Sequence, residues 1–396
     1  MGNDNGKIVL FAFFLALFGS VPAELSAQRV RIGLFDNKVI ESFVFHCTGG
    51  GYQISGDSAI LIKIVVGELV YVSLVEGKLV LMDGDLHFGS FDKLDFIESG
   101  RNCSFRLKLV NPVHEPLNYQ GHLDVRLFHG SIQIINGLHL NDYLAGVVEA
   151  EGGASAGTEF YKAQAILCRS YTVKNWERHP GQDINLCDNT HCQAFHGISD
   201  ENPLIYESVL ATNGLVLADQ NSSIVSAIYH SNSGGETQRA SDIWNREDEY
   251  LQAVVDPFSN KQRSATWEKS VSLEEWKNYL SAKSKYDIRK LTPEQLIIVQ
   301  EHRKKYFIVG SDSIRIADIR NDLQLRSTFF TTEVRNDSLL FHGKGYGHGV
   351  GMSQEGAMEM DRQGYSYSDI LRFYFYNVQI IEISDVPKSE IPAGFR

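Results

Sequence analysis

Glu151 closes the run NDYLAGVVEAE and stands just before Gly152-Gly153. Tyr143, Leu144, Val147 and Val148 fall at helical spacing, with Asn141 as the expected N-cap and the double glycine as the stop. A negative charge is disfavoured at a helix C-terminus. A carboxyl placed there without a cation should have a raised pKa, as a general acid requires. The competing reading is an ordinary solvated carboxylate, the usual state of Glu.

A second group of residues could hold a metal. HPGQDINLCDNTHC (179–192) supplies His179, Cys187, His191 and Cys192. Two imidazoles and two thiolates make a closed tetrahedral zinc set, structural rather than catalytic because no position stays open. His179 joins only if the loop folds back. The alternative is a Cys187–Cys192 disulfide. Cys47 and Cys103 are free to pair in the N-terminal part, and with Cys168 the count of five is odd.

Two further stretches offer contacts rather than chemistry. YHSNSGGETQ (229–238) places Tyr229, His230, Ser231, Ser233 and Gly234 at the end of an apolar strand, where hydroxyls and amides could bind ligand oxygens. An ordinary polar turn is the alternative. GKGYGHGVGMSQEGA (343–357) surrounds His348 with glycines at alternate positions, with Ser353 and Gln354 just beyond. The bare positions suggest backbone open to a bulky, flat ligand. The spacing is not that of a phosphate-binding Walker loop.

The elements that must position these residues read as α+β. Short β-branched and aromatic runs fill 28–115, and NPVHEP (111–116) looks like a linker. Two strands and two helices follow, the second helix over 158–176 with Thr158 as cap. GLVLAD and SIVSAIYHS read as strands, 265–300 as helical, 306–342 as strands, and YSDILRFYFYN as a last helix.

Composition narrows the class. The chain has 396 residues and a formal net charge of −12, which argues against nucleic acid as the main ligand. An apolar run at 8–23 followed by Ala23, Ser26 and Ala27 is expected to be a secretory signal peptide cut after Ala27. No later stretch approaches the length of a spanning helix.

Taken together, these stretches resemble the SpoIID/LytB family, the stage II sporulation protein D and amidase-enhancer proteins. The matching segments are YQGHLDVRL…IINGLHLNDYLAGVVEAE (119–151), EFYKAQAILCRSYT (159–172), CDNTHCQAFHG (187–197), AIYHSNSGGETQRASDIW (227–244), YLQAVVD (250–256), GYGHGVGMSQEGAMEM (345–360) and GYSYSDILRFYF (364–375). The resemblance implies a SpoIID-like core with a glycan-binding cleft over 116–385, carrying a variable or inserted segment near 258–342. A smaller β-rich region (28–115) would precede it and a tail (386–396) follow. It implies a secreted or periplasmic bacterial cell-envelope protein acting on peptidoglycan, with a cell-wall amidase as a possible partner. The implied activity is lytic transglycosylation of strands lacking stem peptides, with Glu151 as the catalytic residue. A non-catalytic amidase enhancer is the alternative. The zinc would sit on Cys187, His191 and Cys192, with His179. Lys162 and Arg169 of the second helix join Tyr229, His230, Ser231, Ser233, Gly234, His348, Ser353 and Gln354 as expected glycan contacts. The family writes Met-Pro after its glutamate, where this chain has Gly152-Gly153-Ala154.

Overall fold

A computed structural model describes residues 28–244 and 246–395. The expected signal peptide at 1–27 lies outside the described residues. The N-terminal part is built from two facing sheets. In the first, the strand order runs Leu186–Cys187, Arg29–Leu34, Ser131–His139, His122–Phe128, Lys93–Glu98, Gly51–Gly56, Ala59–Val65. In the second it runs Leu117–Gln120, Ser104–Asn111, Ser42–Gly49, Leu69–Val75, Lys78–Asp83, Leu86–Phe91. Period-2 alternation places Phe45 and Phe105 of one sheet against Tyr52 and Phe96 of the other, with ring centroids 4.6–5.6 Å apart. The first sheet crosses residue 115 without a break, since Arg29–Leu34 pairs with Ser131–His139. NPVHEP is a turn between two paired strands of the second sheet rather than a linker.

The chain then enters helices α1 (Leu140–Gly152) and α2 (Thr158–Lys174). Both start earlier than expected, the first by two residues and the second by one: His139 and Gly157 are the N-caps, not Asn141 and Thr158. Helix α2 is the centre of the C-terminal part. Twelve of its 17 residues are buried, among them Ala163 and Ala165, so neighbours approach closely on several sides. Those neighbours are α1, α3 (Pro203–Ala211) and two helices near the C-terminus, Gln354–Arg362 and Tyr367–Tyr374. A short helix α4 (Ala240–Trp244) follows. SIVSAIYHS is not a continuous strand: Ile224 makes an isolated bridge to Ala218, and Tyr229–His230 pairs in parallel with Met352–Ser353.

Residues 266–344 form a second hydrophobic core around Trp276, Phe307, Phe330 and Phe341. The helix expected from residue 265 begins later. Trp267 and Val271 point inward at strand spacing, so Thr266–Ser272 is a strand. Ser272 then caps α5 (Leu273–Lys283) by accepting from the Glu275 amide at 3.0 Å. LTPEQLIIVQEHRKK is no α-helix either. Pro293 opens a single 3-10 turn, and Ile298 and Gln300 then bond alongside Phe329–Arg335. A hairpin (Tyr306–Val309, Asp312–Arg315), α6 (Ile316–Asp322) and a three-stranded sheet complete this core. The chain returns through the glycine loop to α7 (Gln354–Arg362) and α8 (Tyr367–Tyr374).

Candidate functional site: a cleft with one carboxyl

A cleft of about 710 Å³ opens between the C-terminal end of α1, the end of α2, the Cys/His loop and the Tyr229 strand. Glu151, Tyr229, His191, Cys192, Trp244 and His348 all line it. Glu151 Oε1 accepts the Ala194 amide at 2.8 Å, and the Tyr229 hydroxyl donates to the same carboxyl. Burial pushes the Glu151 pKa up, and those two hydrogen bonds only partly offset it. Desolvation is the largest cause of this rise. The backbone carbonyl of Glu151 is held from the far side of the chain, by Gln354 Nε2 at 3.0 Å.

Among the described residues that line the cleft, Glu151 is the sole Asp or Glu. Lys174, Arg178 and Arg246 are its cations.

The four expected metal-binding side chains do converge. The ligand atoms of His179, Cys187, His191 and Cys192 all lie within 4.8 Å of one another. His179 Nε2 is 3.3 Å from Cys192 Sγ; His191 Nδ1 is 3.6 Å from Cys192 Sγ and 3.7 Å from Cys187 Sγ. A tetrahedral zinc with ordinary Zn–S and Zn–N lengths has S···N edges of roughly 3.6 Å, so the donor set fits such an ion. His179 reaches the group because the chain doubles back at Gly181 and Asp183, where φ is positive, and bridges His179 to Ile184. Its other nitrogen faces Gln182 Oε1 at 3.2 Å, which orients the ring. All five cysteines are free thiols, Cys47 and Cys103 included.

The glycine loop has a different job from the one its composition suggests. Gly345, Gly347, Gly349 and Gly351 all take positive φ. At Gly351 a Cβ would sit 2.0 Å from the Ile228 carbonyl oxygen, and at Gly349 it would meet the Arg303 guanidinium at 2.9 Å. The bare positions let this loop pack on the Tyr229 segment and on Arg303, rather than opening the cleft. His348 alone of these residues reaches the cleft wall. Its ring meets Trp244 edge-on at 5.0 Å, and its Nδ1 accepts the Val350 amide at 3.1 Å. Burial pushes its pKa down to about 4, so the imidazole is neutral at ordinary pH.

The other expected contacts are elsewhere. Arg169 is fully buried and donates to the carbonyls of Leu215 and Val209, each at 3.1 Å. Lys162 pairs with Glu159 at 2.7 Å beside Tyr367. His230 is buried with Nδ1 on the Val350 carbonyl. Ser233 bonds Asp256 and Ser259, both at 2.7 Å. Gly234 packs against Lys344, Ser353 caps α7, and Ser231 holds the Glu355 amide through its carbonyl. These residues build the cleft's walls from behind. Sequence reasoning did not single out Trp244, Tyr171, Arg178, Arg246 or the Ala194 amide. Trp244 ends the quoted segment 227–244, and an aromatic after a polar loop was its signal.

Comparison with known proteins comes to the same place. The SpoIID model, described as stage II sporulation protein, matches residues 128–218, which contain Glu151 and all four metal-ligand candidates. Over those residues the chain is similar to the SpoIID family. Stage II sporulation protein D of Bacillus subtilis (strain 168) is 27% identical over 277 residues, covering 66% of this chain and 79% of that protein. Its Bacillus amyloliquefaciens counterpart is 27% identical over 288 residues, covering 68% and 81%. The amidase enhancer of Bacillus subtilis (strain 168) is 28% identical over 284 residues, covering 59% of this chain and 39% of that protein. No helix among the described residues is long and apolar enough to cross a membrane.

Proposed function

We propose that this chain is a bacterial cell-envelope protein that cuts peptidoglycan glycan strands by lytic transglycosylation, on strands lacking stem peptides. Glu151 is the general acid and base. The observation that carries this reading is the single carboxyl among the described residues lining the cleft, half-buried and with its pKa raised by burial.

Breaking a glycosidic bond requires a proton on the departing oxygen, which a partly desolvated carboxylic acid can supply. A hydrolase of the common kind needs a second carboxylate, either as nucleophile or to activate water. Transglycosylation does not. The muramic acid 6-hydroxyl attacks its own anomeric carbon, the C–O bond to the leaving sugar breaks, and Glu151 protonates that oxygen. The same carboxylate takes the proton of the 6-hydroxyl, leaving a 1,6-anhydro end. Ala194 and Tyr229 hold the carboxyl in place, and Gln354 fixes the backbone that carries it.

The Cys/His group is proposed to hold structural zinc on His179, Cys187, His191 and Cys192. A zinc there would fix the loop that ends in Ala194. The amidase-enhancer relative favours a second reading, in which the cleft binds glycan and delivers it to a separate amidase. Incubation with amidase-stripped strands separates the two. The first reading expects soluble fragments from this chain alone. An enhancer gives none, and instead speeds release of peptides from intact peptidoglycan when an amidase is added.

A further inference from the structure

The chain carries 49 Asp and Glu against 37 Lys and Arg, yet its cleft inverts that balance, with three cations to one carboxyl. The three are not equivalent. Arg246 is committed to Asp248 at 2.6 Å. Lys174 lies in the last turn of α2, where a cation suits the helix end, and it donates to the Ile224 carbonyl. Arg178 lies four residues beyond that helix and is exposed. Its polar partner is the neutral Asn175 side chain at 3.2 Å. Among the described residues no ion pair occupies it, and no helix end accounts for it.

We propose that Arg178, with Lys174 beside it, recognises a carboxylate on the sugar bound in the cleft. Given the glycan reading above, on which this rests, the carboxylate is the lactyl group of a muramic acid, free only where the stem peptide has been removed. A guanidinium suits this task because its planar fork matches two carboxylate oxygens. An acyl-amide at the same place offers no charge and half the acceptors. Trp244, 44% exposed on the same cleft, supplies a flat apolar wall for the sugar face. The cleft thereby selects stripped strands through a charge, with no need to exclude a peptide by bulk.

The test uses the full chain with Glu151→Gln, which silences cleavage, and three probes in calorimetry. These are a muramic-acid tetrasaccharide with free lactyl carboxylates, the same compound with methylamides there, and neutral chitotetraose. The expected result is about tenfold tighter binding of the acid than of the amide, weakening with added salt. Arg178→Gln should remove that preference, while chitotetraose affinity shifts by less than about twofold. Circular dichroism confirms folding of each variant. Equal binding of acid and amide overturns the proposal. So does a preference that survives both Arg178→Gln and Lys174→Gln. Failure of all three probes to bind contradicts the glycan reading itself, and the proposal falls with it.

Discussion

Ala194 donates its amide to Glu151 Oε1 across 2.8 Å, and Ala194 is two residues past Cys192. The Cys/His loop proposed to hold zinc and the proposed acid are thus joined through a few bonds of backbone. Gln193 between them is buried and tied to Thr172 at 3.2 Å, which passes the loop's position on to α2.

Removing the metal should therefore disturb the site and not only the fold. Cys192→Ser is expected to lower bound zinc from about one per chain to near none, read by elemental analysis. Thermal unfolding should drop by several degrees, and cleavage should fall by tenfold or more on the scale of outer-shell changes, about 10–100-fold. Full zinc content in the variant would remove these residues from the ligand set.

Glu151 carries a pH signature. Its folded pKa is raised by burial, so folding shifts its balance toward the protonated form. A raised carboxyl contributes stability below the unfolded value that is lost as pH rises through the folded value. Glu151→Gln should accordingly raise the unfolding midpoint at pH 7 and leave it unchanged near pH 4. Cleavage by the wild type should decline as pH rises through the same window. An unfolding midpoint unaffected at both pH values would show that burial of this carboxyl is not costly.

His348 shifts the other way, from an ordinary value of 6.5 to about 4. A depressed imidazole contributes stability above its unfolded value, and this is lost as pH falls from 6.5 through about 4. His348→Gln should flatten that acid limb in urea unfolding, by an amount on the order of a few kcal/mol. The ring itself should titrate near 4 by NMR. Titration near 6.5 would place the ring in water.

The glycine loop yields a prediction opposite to an open-cleft reading. Gly351→Ala forces a Cβ onto the Ile228 carbonyl at positive φ. It should destabilise by about 1–3 kcal/mol or more, and lose activity through stability. A stable Gly351→Ala protein that has lost glycan binding alone would restore the open-cleft account.

Much of this was legible in the sequence. The α1 periodicity gave the right helix and put Glu151 at its end, and four Cys and His residues within 14 positions gave the right cluster. What was hidden depended on tertiary partners. Serine and arginine types say nothing about burial, so Ser233 and Arg169 read as ligand contacts although each is fully buried and bonded to protein. Glycines at alternate positions are equally compatible with an open cleft and a close crossing; only Ile228 and Arg303 decide it. The stretch from 265 misled because Trp267 and Val271 are four apart, a spacing that strand and helix share.

The account stands most directly on the ends left by digestion. Wild-type protein and the Glu151→Gln variant are incubated with amidase-stripped glycan, and the products are sized by mass spectrometry. The account predicts 1,6-anhydro-muramic ends from the wild type and none from the variant. Ordinary reducing ends, no products at all, or the same anhydro ends from both proteins would contradict it.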